Sequence, residues 1–265
     1  FYTDHYRIFD EHNPDVVSIA TPPCEHLEIV TRSIESGVKV VFCEKPLGGS
    51  LADAETIISL CAKSKVLLFV NCWMRYSHFY RRLEDDLHDT IGPLQMVAYY
   101  YSKGLENSGF HIIDLWIRWW GEVKSVCGVS VVENGKNDFN VNAEVEFVNG
   151  GTGWMLGTDM RKYVVSDMDV IGEKGRLTII LNKIAHYFSP KSNQEGLNQQ
   201  TLIASRTLER PNCESPIIEA VDKIRRRIST DTASIETQKE PSAEVWKVIE
   251  SIKKSLVTGK KVYIA

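Results

Sequence analysis

The sequence predicts an α/β protein: a partial, doubly wound parallel sheet covered by helices, followed by an α/β domain built on an open, mostly antiparallel sheet. Three observations carry this. Between residues 15 and 70 the chain reads strand–helix–strand–helix–strand at short spacing. The three strand segments are nearly continuous apolar runs, as expected of strands buried on both faces. Beyond about residue 74 the pattern changes to alternating runs punctuated by glycine turns. The boundary divides the chain into residues 1–73 and 74–265.

In the first part, residues 15–20 form a short apolar run ended by Thr21-Pro22-Pro23. Leu27, Ile29, Val30 and Ile34 follow at close to helical spacing, and Gly37 supplies the C-terminal cap. Residues 38–43 are the second buried strand. Ser50 with Asp53 resembles a capping box, ahead of an apolar stripe of Leu51, Ala54, Ile57, Ile58 and Cys61. Residues 66–70 are the third strand. Right-handed crossovers between them give a parallel sheet. Its carboxyl ends carry Thr21-Pro22-Pro23, Glu44-Lys45-Pro46 and Asn71, at the edge where open α/β sheets bind ligands.

In the second part, residues 76–89 read as a charged amphipathic helix stopped by Gly92-Pro93, and 94–100 as a strand. Residues 110–120 are an apolar helix ended by Gly121. Alternating runs follow at 123–132, 141–148, 152–159, 164–171 and 176–181, with turns at 149–151 and 172–175. The polar stretch 189–215 is expected to be an irregular surface loop, and helices near 216–228 and 242–257 close the chain.

Composition excludes several classes of function. Hydrophobic residues make up 43% and charged residues 25%, enough to build an ordinary globular core. The net charge of −4 leaves no basic field for nucleic acid. The basic run from Lys223 to Arg227 reads as a solvated helix face. No apolar run approaches the ~18 residues of a membrane span, and no signal peptide is recognisable. The six cysteines form no C-x-x-C pair and mostly lie in apolar runs, so reduced thiols in a cytoplasmic protein are expected. The seven histidines show no metal-ligand spacing, and no metal site is expected. There is no G-x-S-x-G elbow, H-E-x-x-H pair or P-loop.

Two constellations carry chemistry. A lysine after a buried strand, as in Glu44-Lys45-Pro46, reaches the ligand-binding edge partly desolvated. Desolvation disfavours an ammonium, so such a lysine can shuttle a proton. Glu44 can bind ribose hydroxyls. The plainer alternative is an exposed Glu-Lys pair. His111 and Asp114 are three apart on one helix face, so Asp114 can orient an imidazole that exchanges a proton with a substrate hydroxyl. A core histidine beside a capping carboxylate is the alternative there. Thr21-Pro22-Pro23 lacks two backbone donors and makes a rigid wall, either for a ribose or nicotinamide or simply as a loop. The tryptophans Trp116, Trp119 and Trp120 read as core or interface.

The order of these pieces resembles the Gfo/Idh/MocA oxidoreductase family. The resemblance rests on Asp15-Val16-Val17-Ser18-Ile19-Ala20-Thr21-Pro22-Pro23, then His26, Gly37, Glu44-Lys45-Pro46-Leu47, Arg75-Tyr76, His111-x-x-Asp114-Leu115 and residues 171–177. It runs to about residue 181 and is weak beyond. It implies a Rossmann domain, NAD or NADP as cofactor, and hydride transfer from a secondary alcohol of a sugar, polyol or nucleotide sugar. It also implies a homo-oligomer, a dimer or tetramer. On this resemblance Ala20, Thr21, Pro22, Pro23, His26, Glu44, Lys45 and Asn71 line the cofactor. Lys45 and His111 are catalytic, and Asn107, Asp114 and Arg75 are placed on the substrate side.

Two departures bear on this. Many members carry an aspartate four residues before the histidine, where this chain has Asn107. An asparagine orients substrate by hydrogen bonds but takes no proton. It resembles the branches acting on nucleotide sugars. The second departure is the absence of the G-x-G-x-x-G turn. It belongs before Asp15, where Phe1 to Pro14 contain no glycine. A strand–helix–strand of roughly 50–60 residues is expected there, so weak dinucleotide binding is expected of this chain. Two other readings stay open at this point: a catalytically inactive scaffold, and an NAD-dependent glycosidase on the same framework.

Overall fold

The computed structural model describes residues 2, 4, 6–133, 138–159, 161, 163–192, 200–229 and 242–264. The chain divides into two compact units, Phe1–Trp73 with Pro216–Lys247, and Met74–Ser215 with Val248–Ala265.

In the first unit a short helix, α1 (Tyr6–Glu11), precedes β1 (Val16–Ile19), α2 (His26–Glu35), β2 (Val40–Cys43), α3 (Leu51–Lys63) and β3 (Leu67–Val70). The strands pair in parallel in the order β1-β2-β3, with Val16 opposite Val40 and Val40 opposite Leu67. β2 is buried along its whole length, as its unbroken apolar run predicts. β1 departs from that expectation: only Ile19 is buried and Val16 is exposed. Its position at the edge of the described sheet is the reason, since one side lacks a neighbouring strand.

Local signals set the helix ends. Gly37 has φ +77°, and the N–H groups of Gly37 and Val38 donate to the carbonyls of Ile34 and Ser33, closing α2. Ser50 Oγ accepts the N–H of Asp53 at 3.2 Å. The Asp53 carboxylate takes the N–H of Gly49, not that of Ser50, so the box is closed one residue further out. Ala54, Ile57 and Cys61 of the predicted stripe are buried. Burial alone pushes the Cys61 thiol up to about 11, which leaves it unreactive.

The second unit holds α4 (His78–Thr90), β4 (Leu94–Tyr101), α5 (Phe110–Trp120), β5 (Val123–Val132), β6 (Asn140–Phe147), β7 (Thr152–Gly157), β8 (Ser166–Gly172), β9 (Arg176–Ile180), β10 (Ile184–Ser192) and β11 (Gln200–Glu209). Later in the chain come α6 (Pro216–Ser229) and α7 (Ser242–Thr258), then β12 (Val262–Tyr263). The described sheet has nine strands in the order β11-β10-β9-β8-β4-β7-β6-β5-β12. Every pairing is antiparallel except β4 with β7, which bears out the mostly antiparallel expectation.

β4 turns Val97, Tyr99 and Tyr101 inward and leaves Met96 and Tyr100 exposed. Trp116 of α5 lies against Gly153, where an added Cβ would stand 2.6 Å from the indole. Its N–H donates to Met168 Sδ. Trp116 lies in the core of this unit, and Trp120, half-buried, packs beside it and Phe147.

The loop expected over 189–215 is corrected. β10 continues to Ser192, and β11 pairs with it from Ile184↔Glu209 to Ser192↔Gln200. β11 is exposed along nearly its whole length, so it has no hydrophobic period to betray it. Backbone pairing at the sheet edge makes the strand instead. Residues 193–199 of that expected loop lie outside the described residues. The hairpin turns at 149–151 and 172–175 are as expected, with Gly150 and Gly151 at positive φ and the Gly172 N–H on Gly175 O.

Helix α6 and the first turn of α7 belong to the first unit. There the Trp246 indole donates to the carbonyl of Leu47 at 3.2 Å, anchoring the start of α7 to the chain just beyond Glu44-Lys45-Pro46. Arg225, Arg226 and Arg227 are exposed on α6, the solvated face that the basic run predicts. Among the described residues no helix is long and apolar enough to cross a membrane.

Candidate active site

The predicted residues fall into two groups, one in each unit. In the first unit, parallel pairing puts the carboxyl ends of β1, β2 and β3 side by side. The ladder runs one residue further, with Glu44 N–H on Ile19 O and Asn71 N–H on Cys43 O. This aligns Ala20-Thr21-Pro22, Glu44-Lys45 and Asn71 along one edge.

Asn71 Nδ2 donates to Glu44 Oε1 at 2.7 Å, and the other carboxylate oxygen accepts the N–H of Lys45. Because a carboxylate only accepts, the Asn71 amide must present its nitrogen to Glu44. Its oxygen then faces away, and Asn71 Oδ1 is buried with no hydrogen-bond partner. Such an acceptor costs about 1–3 kcal/mol until a donor reaches it.

His26 is fully buried. Its Nε2 lies 2.9 Å from the carbonyl of Thr21, and its Nδ1 lies 3.3 Å from Cys43 Sγ. A carbonyl only accepts, so Nε2 carries the proton and Nδ1 receives the thiol hydrogen. The ring thus ties the loop after β1 to the end of β2. Thr21 and Pro22 remain exposed above it, with Pro22 extended at φ −57° and ψ 145°. Glu44 and Lys45 are half-buried.

In the second unit, Arg75 ends a 3-10 turn that precedes α4. Its Nε lies 2.9 and 3.1 Å from the two oxygens of Asp114, and its Nη2 also donates to Oδ1. The two side chains are 11% and 1% exposed, so this is a buried ion pair. Asp114, expected beside the imidazole, is engaged by this guanidinium. His111 stands half-buried in the first turn of α5.

A single π-helical turn, Leu105–Gly109, leads into α5 and carries Asn107, which is exposed. Such turns frequently mark functional sites. Two residues with no periodic signal were not anticipated: Cys43 as the partner of His26, and Asp138, whose carboxylate receives two N–H groups of the π turn. No group of three or more His, Cys, Asp or Glu able to hold a metal occurs among the described residues.

A short parallel sheet with ligand-type residues on its carboxyl edge, followed by a large open sheet, is the layout of a two-part nucleotide-binding α/β protein. Residues 1–72 match the GFO_IDH_MocA family, described as an oxidoreductase family with an NAD-binding Rossmann fold. The first part of the chain is thus similar to this family.

Myo-inositol 2-dehydrogenase of Thermotoga maritima is 32% identical over 92 residues, covering 34% of this chain and 27% of that protein. Oxidoreductase P35 of Formosa agariphila is 25% identical over 229 residues, 71% of this chain and 70% of its own length. The alignment therefore spans about a quarter of the first relative and over two thirds of the second. A levoglucosan dehydrogenase solved with NADH and levoglucosan superposes with a TM-score of 0.81 at 17% identity, over 99% of this chain and 84% of that one. At that identity the likeness is one of fold.

Proposed function

We propose that the protein is a nicotinamide-dependent oxidoreductase acting on a secondary alcohol of a sugar, polyol or nucleotide sugar, with NAD or NADP as cofactor. The observation that carries this reading is the buried, partnerless Asn71 Oδ1 beside Glu44 and Lys45 on the carboxyl edge of the parallel sheet. An acceptor held in that orientation fits a donor such as a carboxamide N–H or a sugar hydroxyl. The adjoining Thr21-Pro22 wall offers a flat surface without competing backbone donors. The names of the relatives, a myo-inositol and a levoglucosan dehydrogenase, support a polyol or sugar substrate.

A nicotinamide held at this edge would supply the acceptor for a hydride from the alcohol carbon. Glu44 holds ribose hydroxyls through its carboxylate, and Asn71 orients that carboxylate. Asn107 orients the substrate through its amide. His111 takes the hydroxyl proton on its imidazole while the carbonyl forms, and Lys45 is the catalytic group on the cofactor edge. Proton removal of this kind contributes about 10²- to 10⁴-fold. Arg75 and Asp114 stabilise each other and set the first turns of α5. The free state of all six cysteines supports a reducing, cytoplasmic setting.

The test is absorbance of NADH formed from saturating NAD⁺ and a panel of myo-inositol, levoglucosan and a UDP-linked uronate. A saturable signal with one of them is expected when the chain is tested within a protein that also carries a glycine-rich dinucleotide-binding turn, since weak binding is expected of residues 1–265 alone. Aryl-glycoside cleavage without net NADH, or no turnover in a protein that does bind NADH, would overturn the reading. The same reading includes a homo-oligomer. Met96, Tyr100 and Ile180 are exposed on one face of the open sheet and support it. Light scattering is expected to return a dimer or tetramer mass, and a monomer at micromolar concentration would remove that part.

A further inference from the structure

We propose that Asp138 is a positioning residue for the substrate-side segment, holding the π-helical turn on which Asn107 stands and from which the His111 helix starts. The roles of Asn107 and His111 rest on the function proposed above. The placement of Asp138 does not.

The start of any helix leaves four N–H groups without intrahelical acceptors. Here the four are those of Gly104, Leu105, Glu106 and Asn107, and one short segment receives them all. Gly104 N–H donates to Asn140 Oδ1 at 2.7 Å and Leu105 N–H to Phe139 O at 3.0 Å. Glu106 N–H donates to Asp138 Oδ1 at 3.0 Å and Asn107 N–H to Asp138 Oδ2 at 2.9 Å. Both carboxylate oxygens are therefore spent on consecutive peptides, an arrangement only a bidentate acceptor can make. Gly104 fits the same design. It has φ +93°, and a Cβ there would lie 2.0 Å from Asp138 Oδ2, so the carboxylate fills the space a side chain would need.

The charged and titratable groups facing Asp138 are Glu106 on the turn itself, Lys253 from α7 and Tyr101 from β4. Lys253 is ion-paired with Glu106. Together with Leu105 and Phe139, Asp138, Glu106 and Lys253 line a cavity of about 190 Å³. Burial raises the Asp138 pKa above its ordinary value, against the two backbone N–H bonds that lower it. Protonation turns one of the two oxygens into a hydroxyl, so the Glu106 and Asn107 N–H groups lose their paired acceptor as pH falls through that raised value. The ionised, doubly accepting form prevails above it.

The experiment is ¹H–¹⁵N NMR of this chain across the acidic range. The Glu106 and Asn107 amide signals are expected to titrate together, with one midpoint above that of an ordinary aspartate. Asp138→Asn should abolish both titrations, and Glu106→Gln should leave both in place. In turnover, Asp138→Asn should raise KM about tenfold, the difference between a charged and a neutral acceptor, with kcat within about twofold. Amides without a common midpoint, titrations that survive Asp138→Asn, or an unchanged KM would each overturn the proposal. The wild-type titration needs no variant to fold. It also reads the turn whether or not NAD-linked turnover is found, so its failure is separate from a failure of the proposed function.

Discussion

Replacing Lys45 or His111 by alanine is expected to lower kcat by at least about 10², the low end of what general acid–base groups contribute. The two residues lie in different units, Lys45 just past the end of β2 and His111 in the first turn of α5. Neither is a core residue: both are half-buried, so truncation removes a functional group without opening a large cavity. Melting temperatures close to that of the parent chain are therefore expected alongside the kinetic loss. KM should change less than kcat for His111→Ala, because proton transfer belongs to the transition state and not to ground-state binding. For Lys45→Ala both constants should move, since a lysine on the cofactor edge would serve binding as well as chemistry. Stopped-flow and steady-state NADH formation separate the two. Near-unchanged turnover in both variants would remove these residues from the chemistry.

The second large effect is on stability. Asp114→Ala is expected to cost about 3–5 kcal/mol, because it leaves the Arg75 guanidinium buried without its counter-charge. That is a substantial part of the roughly 5–15 kcal/mol available to a folded domain. The fork geometry makes the loss specific. Arg75 directs both Nε and Nη2 at the carboxylate, and the Asp114 side chain is 1% exposed. Replacing both partners together, Arg75→Met with Asp114→Leu, should recover most of the loss, since apolar pairs of similar volume replace buried ion pairs well. Urea titration followed by hydrogen exchange of α5 amides reads the effect in the unit that holds the pair. A loss under about 1 kcal/mol would mean that the pair behaves as a solvated one. If Arg75 instead bound substrate in its own right, Asp114→Ala would raise KM and leave unfolding unchanged.

The residues behind these two effects differ in how far the sequence exposes them. Glu44-Lys45-Pro46 and His111 stand out in the sequence because each follows a recognisable element: a continuous apolar run in one case, the start of an apolar helix in the other. The Arg75–Asp114 pair does not stand out, although both residues do individually. They are 39 positions apart, and the spacing of Asp114 from His111 points to a different partner. The same holds for His26, whose ring is divided between a carbonyl five residues back and a thiol 17 residues on. Asp138 lies in a polar stretch before β6 with no period at all, yet it receives the N–H groups that start the turn before α5.

The sequence by itself determined the two-part α/β layout, the parallel pairing of the first three strands and the hairpin turns of the second sheet. It also determined helix ends such as those at Ser50 and Gly37. These follow from short-range causes: the side-chain period of a strand or helix, the steric freedom of glycine and the donor hunger of a helix start. Tertiary structure alone decided the edge strand β11, whose exposed residues carry no period, and the grouping of residues 216–247 with the first unit. It alone decided the partners of the buried polar groups, Arg75 for Asp114, Cys43 for His26 and the π turn for Asp138. A buried polar group must be satisfied by whichever complementary atom the fold brings near, and that neighbour is set by distance in space, which no spacing along the chain encodes.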